Sequence, residues 1–300
     1  MPASDQATDP APDPEWTTGL PAADVPAVRA LFAAVLAHDG IGPAADHHLS
    51  PTEGYLAARD GHGTVVGLAW GSAADPAELL VHPDHRRRGI GRSLLTRLRD
   101  RGDQGVWAHG DQPPARALAD GAGLTPRREM YQLRRSLPAD AFAVELPEGV
   151  RIRTFRPGAD EEQFLGVNSR AFSWHPEQGR LDLAGLTDQM AEDWFDPAGF
   201  LLAVDEHDTV LGFHWTKVHR VDPTPHDGPA VAVGEVYVLG VDPRSPIRRL
   251  GRPLTVAGLE HLAAQGLPAV LLYVESDNAP ALALYRALDF APWHSDVVYG

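Results

Sequence analysis

An arginine- and glycine-rich turn is the segment whose residue types and spacing predict chemistry most clearly. It lies between a predicted strand at 78–81 and a predicted helix at 91–101, and residues 86–92 read RRRGIGR. Glycines in such a turn let the backbone approach a ligand and point N–H groups at it. The helix dipole and the arginine side chains then favour a diphosphate. The alternative interpretation is an arginine-rich, solvated helix start.

Other ligand motifs are not matched. A Walker-type loop requires Gly-Lys-Ser/Thr, which does not follow the turn, and arginine and proline crowd it too much for a Rossmann loop. The 14 histidines show no metal-binding spacing, so we expect no metal. The chain has no cysteine, which excludes disulfides, thiolate metal sites and a thiol nucleophile.

The elements around the turn recur in the second half of the chain. VGLAW at 66–70 is echoed by LGFHW at 211–215, and ELLVHP at 78–83 by VLGVDP at 238–243. The glycine that ends the turn recurs as Gly251. The shared order predicts a duplicated fold, although two unrelated α/β units also share some pattern.

Local patterns predict the elements that position the turn. Apolar residues recur at helical spacing over 22–37. Two alternating segments, 55–59 and 65–70, flank the turn sequence DGHG and predict a hairpin. The alternating VRIR at 150–153 predicts the first strand of the second half.

The chain divides into a tail and two predicted domains. Residues 1–19 are rich in Pro, Asp, Ala and Thr and predict a disordered tail. The periodicity breaks over 137–149, so we expect an N-terminal domain at 20–145 and a C-terminal domain at 146–300. Strands alternate with helices in both, which predicts α/β domains with a mixed sheet flanked by helices.

Composition excludes several classes of partner. The formal net charge of −15 makes nucleic acid or an anionic membrane an unfavourable partner. No segment approaches the run of about 20 apolar residues that a membrane helix needs, and the N-terminus lacks the order of a secretory signal. We therefore expect a cytoplasmic protein. A monomer is expected as well, although composition does not decide the oligomeric state.

The turn at 86–92 resembles the coenzyme-A loop of the GNAT acetyltransferases, which reads Arg/Gln-x-x-Gly-x-Gly/Ala after a strand bearing Val-x-Pro. In that family the loop amides hold the diphosphate of acetyl-CoA, and the preceding strand lines its pantetheine arm. The fold implied is two tandem GNAT domains. The cofactor-binding residues implied in the first half are Leu79, Leu80, Val81, Arg87, Arg88, Gly89, Ile90, Gly91 and Arg92.

The second copy of the loop departs from the GNAT pattern, since it reads PIRRLG at 246–251 and keeps only the last glycine. Pro246 has no N–H, and Ile247 and Arg249 carry Cβ atoms where the backbone should meet phosphate. The amides at 248–252 and the added arginines leave anion binding possible. The resemblance implies a second set of cofactor-binding residues: Leu239, Gly240, Val241, Pro246, Ile247, Arg248, Arg249, Leu250, Gly251, Arg252, Asn278, Ala279, Pro280, Ala281, Leu282 and Ala283.

Two side chains of the second half fit the chemistry that the resemblance implies. An amine with a pKa of about 8 is mostly protonated at neutral pH, so acyl transfer to it needs a base. Glu235, just before the cofactor strand, is the expected base, and Tyr285 matches the position from which GNAT enzymes protonate the leaving thiolate. Its first-half counterpart is Ala119, so we expect the first half to hold cofactor without catalysis. The alternatives are a solvated Glu235 and a packed Tyr285.

The tandem arrangement, with GEVYVLGVDP at 234–243 and LYVESDN at 272–278, resembles the mycothiol synthase branch of that family. Members transfer acetyl from acetyl-CoA to the cysteinyl amine of a cysteine-glucosamine-inositol conjugate. The resemblance implies a small-molecule amine acceptor bound by Asp39, Glu177, Lys217, Glu235 and Tyr273. In the alternative interpretation, Asp39 and Glu177 are turn residues and Lys217 is a surface charge.

Two rival functions stay open at this stage. One is a GNAT acetyltransferase for another amine, such as an antibiotic, a polyamine or a protein N-terminus, because GNAT folds serve many acceptors. The other is a non-catalytic protein that binds CoA only through its first half, because the second loop has lost a glycine.

Overall fold

The computed structural model describes residues 16–42, 54–72, 75–102, 105–137, 144–173, 178–220 and 232–300. These residues form two compact units. The first contains the described residues up to Met130 together with His294–Gly300, and the second contains those from Tyr131 to Trp293. The domain boundary near residue 145 stays a prediction.

The first unit combines five strands with three helices. Its elements are β1 (Trp16–Thr18), α1 (Val25–Asp39), β2 (Gly54–Arg59), β3 (Val65–Gly71), β4 (Glu78–Val81), α2 (Ile90–Arg101), β5 (Val106–Ala108) and α3 (Pro113–Gly121). Strands β1 to β4 form an antiparallel sheet in that order, and β2 with β3 is the predicted hairpin. Apolar residues of α1 and α2 pack into two separate clusters with alternate residues of β2 and β3.

The end of the predicted disordered tail differs from the expectation. Residues 1–15 lie outside the described part of the chain, but Trp16–Thr18 form β1, which pairs antiparallel with β2. The indole of Trp16 lies under the guanidinium of Arg101, 3.8 Å from its ring centroid. The low overall hydropathy of the segment concealed this one aromatic anchor, which supplies apolar area and a cation–π contact.

The second unit has a mixed sheet flanked by helices, as predicted. Its elements are β6 (Pro126–Ser136), β7 (Arg151–Thr154), α4 (Glu161–Ala171), α5 (Leu183–Met190), β8 (Phe200–Val204), β9 (Val210–His219), β10 (Val233–Val241), α6 (Gly251–Ala264), β11 (Ala269–Glu275), α7 (Ala279–Arg286) and β12 (Ala291–Tyr299). Strands β6 and β12 each have some of their residues in the first unit. The strand order is β6-β11-β10-β9-β8-β7. Strands β7 to β10 pair antiparallel, whereas β10 and β11 are parallel.

The two faces of this sheet carry different cores. Helices α6 and α7 pack with Val270 and Leu272 of β11 on one face. Helices α4 and α5 pack with Phe213 and Trp215 of β9 on the other. Because side chains alternate along a strand, Lys217 and His219, which follow Trp215 at two-residue spacing on β9, face α4 and α5 as well.

The last strand of the chain contributes to the first unit. Val297 of β12 pairs antiparallel with Ala108 of β5. In the same unit His109 places Nε2 3.0 Å from the Glu78 carboxylate and Nδ1 3.3 Å from that of Asp296. Burial alone would lower the pKa of His109, but the two carboxylates raise it well above the usual value. The C-terminal residues are therefore held by strand pairing and by an ionic contact.

No helix in the described segments combines the length and the apolar character needed to cross a bilayer.

A fully buried histidine links β9 to α6. His214 donates from Nδ1 to the carbonyl of Leu254 at 2.8 Å, and its Nε2 has no hydrogen-bond partner in the described structure. Gly258 of α6 makes room for the ring, because a Cβ there would collide with it. Burial lowers the pKa of His214 from 6.5 to about 4, since a proton on Nε2 would add a charge without an acceptor.

We predict that His214 makes the protein less stable in acid. Its folded-state pKa lies below the unfolded value, so the unfolded chain binds the proton first, and stability falls as the pH drops from 6.5 toward about 4. The loss is about 3 kcal/mol. Denaturant unfolding across this pH range should show a shallower decline for His214→Asn, which retains a donor for Leu254. Equal slopes for both proteins would contradict the prediction.

Candidate active site

The turn of the first unit presents free backbone amides, as its sequence predicts. Strand β4 leads into it and α2 begins at Ile90. Within the described residues, the backbone N–H groups of 87–92 donate to no acceptor. The first backbone N–H of the helix that has an acceptor is that of Ser93, which donates to the carbonyl of Gly89. Gly89 has a φ of 88° and Arg87 one of 62°. The turn therefore forms an exposed nest of donors suited to an anion.

The degenerate turn of the second unit keeps the same backbone form. Arg249, at the place of Gly89, has a φ of 65°, a left-handed conformation that costs a non-glycine residue about 1–2 kcal/mol. The N–H groups of 248–252 donate to no acceptor in the described structure, and α6 starts at Gly251. Only the amide of Ile247 is engaged, by Ser245 Oγ at 3.2 Å. The turn of the second unit therefore still presents free backbone amides, although Arg249 replaces the glycine.

An ion pair joins a helix end to the turn in each unit, with the charges exchanged. In the first unit Arg86 binds Asp39 of α1 through two bonds of 2.8 and 2.7 Å and also donates to the carbonyl of Val81. In the second unit Arg170 of α4 binds Asp242, with bonds of 2.6 and 3.1 Å. Such two-pronged pairs hold their partners at a defined angle, so each pair fixes the segment that contains or leads into the turn against a helix.

Both aspartates are held in the ionised form. Burial alone would raise the pKa of Asp39, but hydrogen bonds from Arg86 and His38 outweigh it and lower the pKa. The hydrogen bond from Arg170 is the largest cause that lowers the pKa of Asp242. The structure thus places Asp39, expected as a substrate ligand, in an ion pair with Arg86 in the turn of its own unit.

Strands β10 and β11 part just after Glu235. Their pairing consists of Gly234 with Val270 and Glu235 with Leu271, although both strands continue for several residues. A β-bulge interrupts the pairing of β10 with β9 between residues 236 and 238. The separation leaves an opening along one edge of β10.

Two amides of β10 point into this opening. Asp242 donates its N–H to Leu211 of β9 at 2.9 Å. Because N–H directions alternate along a strand, the amides of Leu239 and Val241 point away from β9 and toward the opening. In the first unit His82 donates to Val66 in the same way, which turns the amides of Leu79 and Val81 outward from the hairpin.

Glu235 is a buried carboxylate beside two basic side chains. It is 4% exposed, and its Oε2 lies 2.6 Å from Nε2 of His219. In the β9–β10 register it pairs with Lys217, which is also buried. The ammonium of Lys217 lies 4.4 Å from the ring centroid of Trp194 and 5.1 Å from that of Tyr237. Neither Glu235 nor Lys217 is the solvated surface charge of the alternative interpretation.

The other predicted substrate residues have different settings. Tyr273 lies on β11, two residues beyond Leu271 and so on the same face as Glu235, and its hydroxyl accepts a 2.8 Å hydrogen bond from Gln132. Glu177 lies outside the described residues. The structure therefore brings Lys217, Glu235 and Tyr273 to one face of the second unit.

Tyr285 lies on α7, inside the apolar core next to α6. It is 7% exposed, and its ring lies 5.5 Å from that of Phe290. Burial raises the pKa of its hydroxyl. At the start of the helix Asn278 accepts a hydrogen bond from the amide of Ala281 at 3.2 Å. The first-unit counterpart, Ala119, is buried on α3 and offers no proton.

Three side-chain partners were not predicted from the sequence: His219, Arg86 as the partner of Asp39, and Arg170. His219 alone left a signal, because it follows Lys217 at two-residue spacing in an alternating strand. The arginine pairs join residues 47 and 72 positions apart and left no local pattern. In the described part of the chain no group of three or more metal-binding side chains occurs.

Comparison with known proteins assigns the family. A model of the acetyltransferase (GNAT) domain matches residues 51–124, and a model of the acetyltransferase (GNAT) family matches 166–290. The mycothiol acetyltransferase of Saccharopolyspora erythraea is 44% identical over 87% of this chain and 96% of its own. That of Thermobispora bispora is 47% identical over 92% and 95%. The chain belongs to the mycothiol acetyltransferase family. The predictions of tandem GNAT domains and of an N-acetyltransferase enzyme are confirmed.

Solved structures agree on the fold. A GCN5-related N-acetyltransferase from Sphaerobacter thermophilus superposes with a TM-score of 0.68 at 21% identity, covering 95% of this chain and 94% of that one. A tandem GNAT protein from the clavulanic acid biosynthesis pathway gives 0.66 at 22% identity, covering 95% and 97%. At these identities the likeness concerns the fold.

We predict that Asp39 acts through Arg86. Asp39→Asn should weaken CoA binding by the first unit about tenfold, about 1.4 kcal/mol, because the turn loses its anchor. Asp39→Arg combined with Arg86→Asp should restore binding, since the second unit uses that polarity. Two-site titration calorimetry measures both, with the exposed Asp84→Asn as the matched control. A reversal that fails to restore binding, with a raised KM for the amine acceptor, would instead indicate a substrate ligand.

Proposed function

We propose that this protein transfers the acetyl group of acetyl-CoA to the cysteinyl amine of a cysteine-glucosamine-inositol conjugate, which yields mycothiol, and that the second unit performs the reaction. The observation that carries the proposal is a buried carboxylate, Glu235, at the point where β10 and β11 separate. The family relationship supports the acetyl donor and the acceptor.

The turn at 246–252 is proposed to bind the diphosphate of acetyl-CoA. Five adjacent amides without acceptors lie there at the start of α6, where the helix dipole favours negative charge. Arg248, Arg249 and Arg252 are exposed and add positive charge. The left-handed backbone at Arg249 supports this role, because it reproduces the form that Gly89 adopts in the matching turn.

The opening beside β10 is proposed to receive the pantetheine arm. The amides of Leu239 and Val241 point into it, so they are placed to donate to the thioester oxygen as it gains negative charge. One such donor typically contributes about 3–4 kcal/mol of transition-state stabilisation. The residues at 278–283 would line the same arm from α7.

Glu235 is proposed to be the general base. The acceptor amine is mostly protonated at neutral pH, so Glu235 removes a proton from its nitrogen, directly or through one water, and the nitrogen keeps the electron pair that attacks the thioester carbon. Glu235 lies close to the opening proposed for acetyl-CoA, so it can act as a base where the amine meets the thioester.

Tyr285 is proposed to protonate the leaving group. As the carbon–sulfur bond breaks, the sulfur takes the electron pair, and Tyr285 supplies a proton to it. Burial raises the pKa of this tyrosine and so keeps its hydroxyl protonated before the transfer. The acetylated nitrogen then loses its second proton, which restores the Tyr285 hydroxyl, and Glu235 releases to solvent the proton that it took from the ammonium.

Lys217 and Tyr273 are proposed to recognise the acceptor, together with Glu177 of the same half of the chain. A sugar–inositol conjugate offers many hydroxyl groups, which need charged and polar partners. Lys217 and Tyr273 lie on the face that carries Glu235, which supports their assignment. Asp39 is not included, because Arg86 binds both oxygens of its carboxylate within the first unit.

The first unit is proposed to hold CoA without catalysis. It retains the turn with free amides and the outward amides of its cofactor strand. It lacks the proton donor, since Ala119 stands where α7 carries Tyr285. Action as a cytoplasmic monomer on a small-molecule acceptor, without nucleic acid, membrane or metal, remains part of the proposal.

We predict that Glu235→Gln lowers kcat about 10²–10⁴-fold, the usual contribution of general base catalysis, while the KM for acetyl-CoA stays within about threefold. The assay follows CoA release and the mass of the acetylated conjugate. The exposed Glu206→Gln is the matched control and should behave as the wild type.

Two outcomes of this assay would count against the proposal. Wild-type turnover by Glu235→Gln would remove Glu235 from the mechanism. No CoA release above background by the wild-type protein with the cysteinyl conjugate, combined with release on a different amine, would replace the acceptor.

A further inference from the structure

We propose that His219 positions Glu235 for proton transfer, an assignment that rests on the proposed function. The Nε2 atom of His219 lies 2.6 Å from Oε2 of Glu235, and the two side chains are 10% and 5% exposed. A contact this short between a buried carboxylate and a largely buried imidazole constrains how the carboxylate is oriented.

The pairing of β9 and β10 explains how the two side chains meet. Lys217 is directly opposite Glu235, and His219 is opposite Val233. Because side chains alternate, Lys217 and His219 share the face of Glu235, and His219 is its diagonal neighbour. Lys217 extends over the rings of Trp194 and Tyr237, whereas His219 meets the carboxylate. The two basic residues therefore have separate tasks.

A histidine suits this task better than an arginine. A guanidinium commonly takes both oxygens of a carboxylate, as Arg86 does with Asp39. His219 contacts one oxygen, Oε2, and leaves Oε1 to accept the proton. A buried carboxylate also needs a donor to offset the loss of water. His219 thus stabilises Glu235 in place without occupying both of its basic atoms.

The test compares three variants of the full-length protein: His219→Ala, His219→Gln and Glu235→Gln. Misplacement of a catalytic group by about 1 Å can cost about 10²-fold in rate, so we expect His219→Ala to lower kcat about 10²-fold with both KM values within about twofold. His219→Gln should recover most of kcat, because its amide N–H can still donate to Oε2.

Added imidazole separates positioning from a general effect on folding. It should restore part of the kcat of His219→Ala in a saturable manner, and should have no effect on Glu235→Gln. His261→Ala is the matched control, because His261 pairs with a carboxylate, that of Asp196 at 3.2 Å, away from the face of Glu235. This variant should keep wild-type kcat with or without imidazole.

Several results would overturn the inference. These are wild-type kcat in His219→Ala, a loss expressed only in KM, or a loss that neither glutamine nor imidazole restores. If His219→Ala does not fold by thermal melting, His219→Gln decides, since a 10²-fold loss there would contradict the role of a donor. Full activity of Glu235→Gln would instead refute the proposed function.

Discussion

The separation of β10 from β11 after Glu235 is the constraint on which the rest of the second unit depends. Strand edges and helix starts carry N–H groups that a folded chain must satisfy with protein, water or a ligand. Here the edge of β10 and the first turn of α6 follow one another along the chain, and both leave amides without acceptors in the described structure. A single strand–turn–helix segment thus carries two sets of amides that a ligand could engage.

Both units contain this strand–turn–helix segment, but they carry different residues at its key positions. The first keeps Gly89 in its turn but has Ala119 at the position that matches Tyr285. The second has Tyr285 and Glu235, and accepts Arg249 in a left-handed conformation. The ion pairs that anchor the turns show the same divergence, since the acid is on the helix in one unit and on the turn in the other. Selection on a duplicated backbone can retain geometry while the side chains change.

The sequence allowed the local elements and the backbone form of the two turns to be predicted, because their causes are local. The hairpin of β2 and β3 follows from alternation around a glycine turn. The form of the first-unit turn follows from glycine between a strand and a helix. Glu235 was predicted from its place before the cofactor strand, and the structure shows it buried.

What escaped prediction depends on pairing between distant residues. The final strand pairs with β5 although Val297 and Ala108 are far apart in sequence, and periodicity carries no information about partners. The ion pair of Asp39 with Arg86 was hidden for the same reason, so Asp39 could be predicted only as a ligand. The contact of His219 with Glu235 depends on strand register, which pattern alone leaves open.

Hydrogen exchange at the amides of 248–252, Leu239 and Val241, measured with and without acetyl-CoA, tests the central claim most directly. Exchange at these positions should slow at least about tenfold at saturating acetyl-CoA, because bound ligand protects amides only in the complex. Unchanged exchange there, under conditions in which the protein turns over its substrate, would contradict the account.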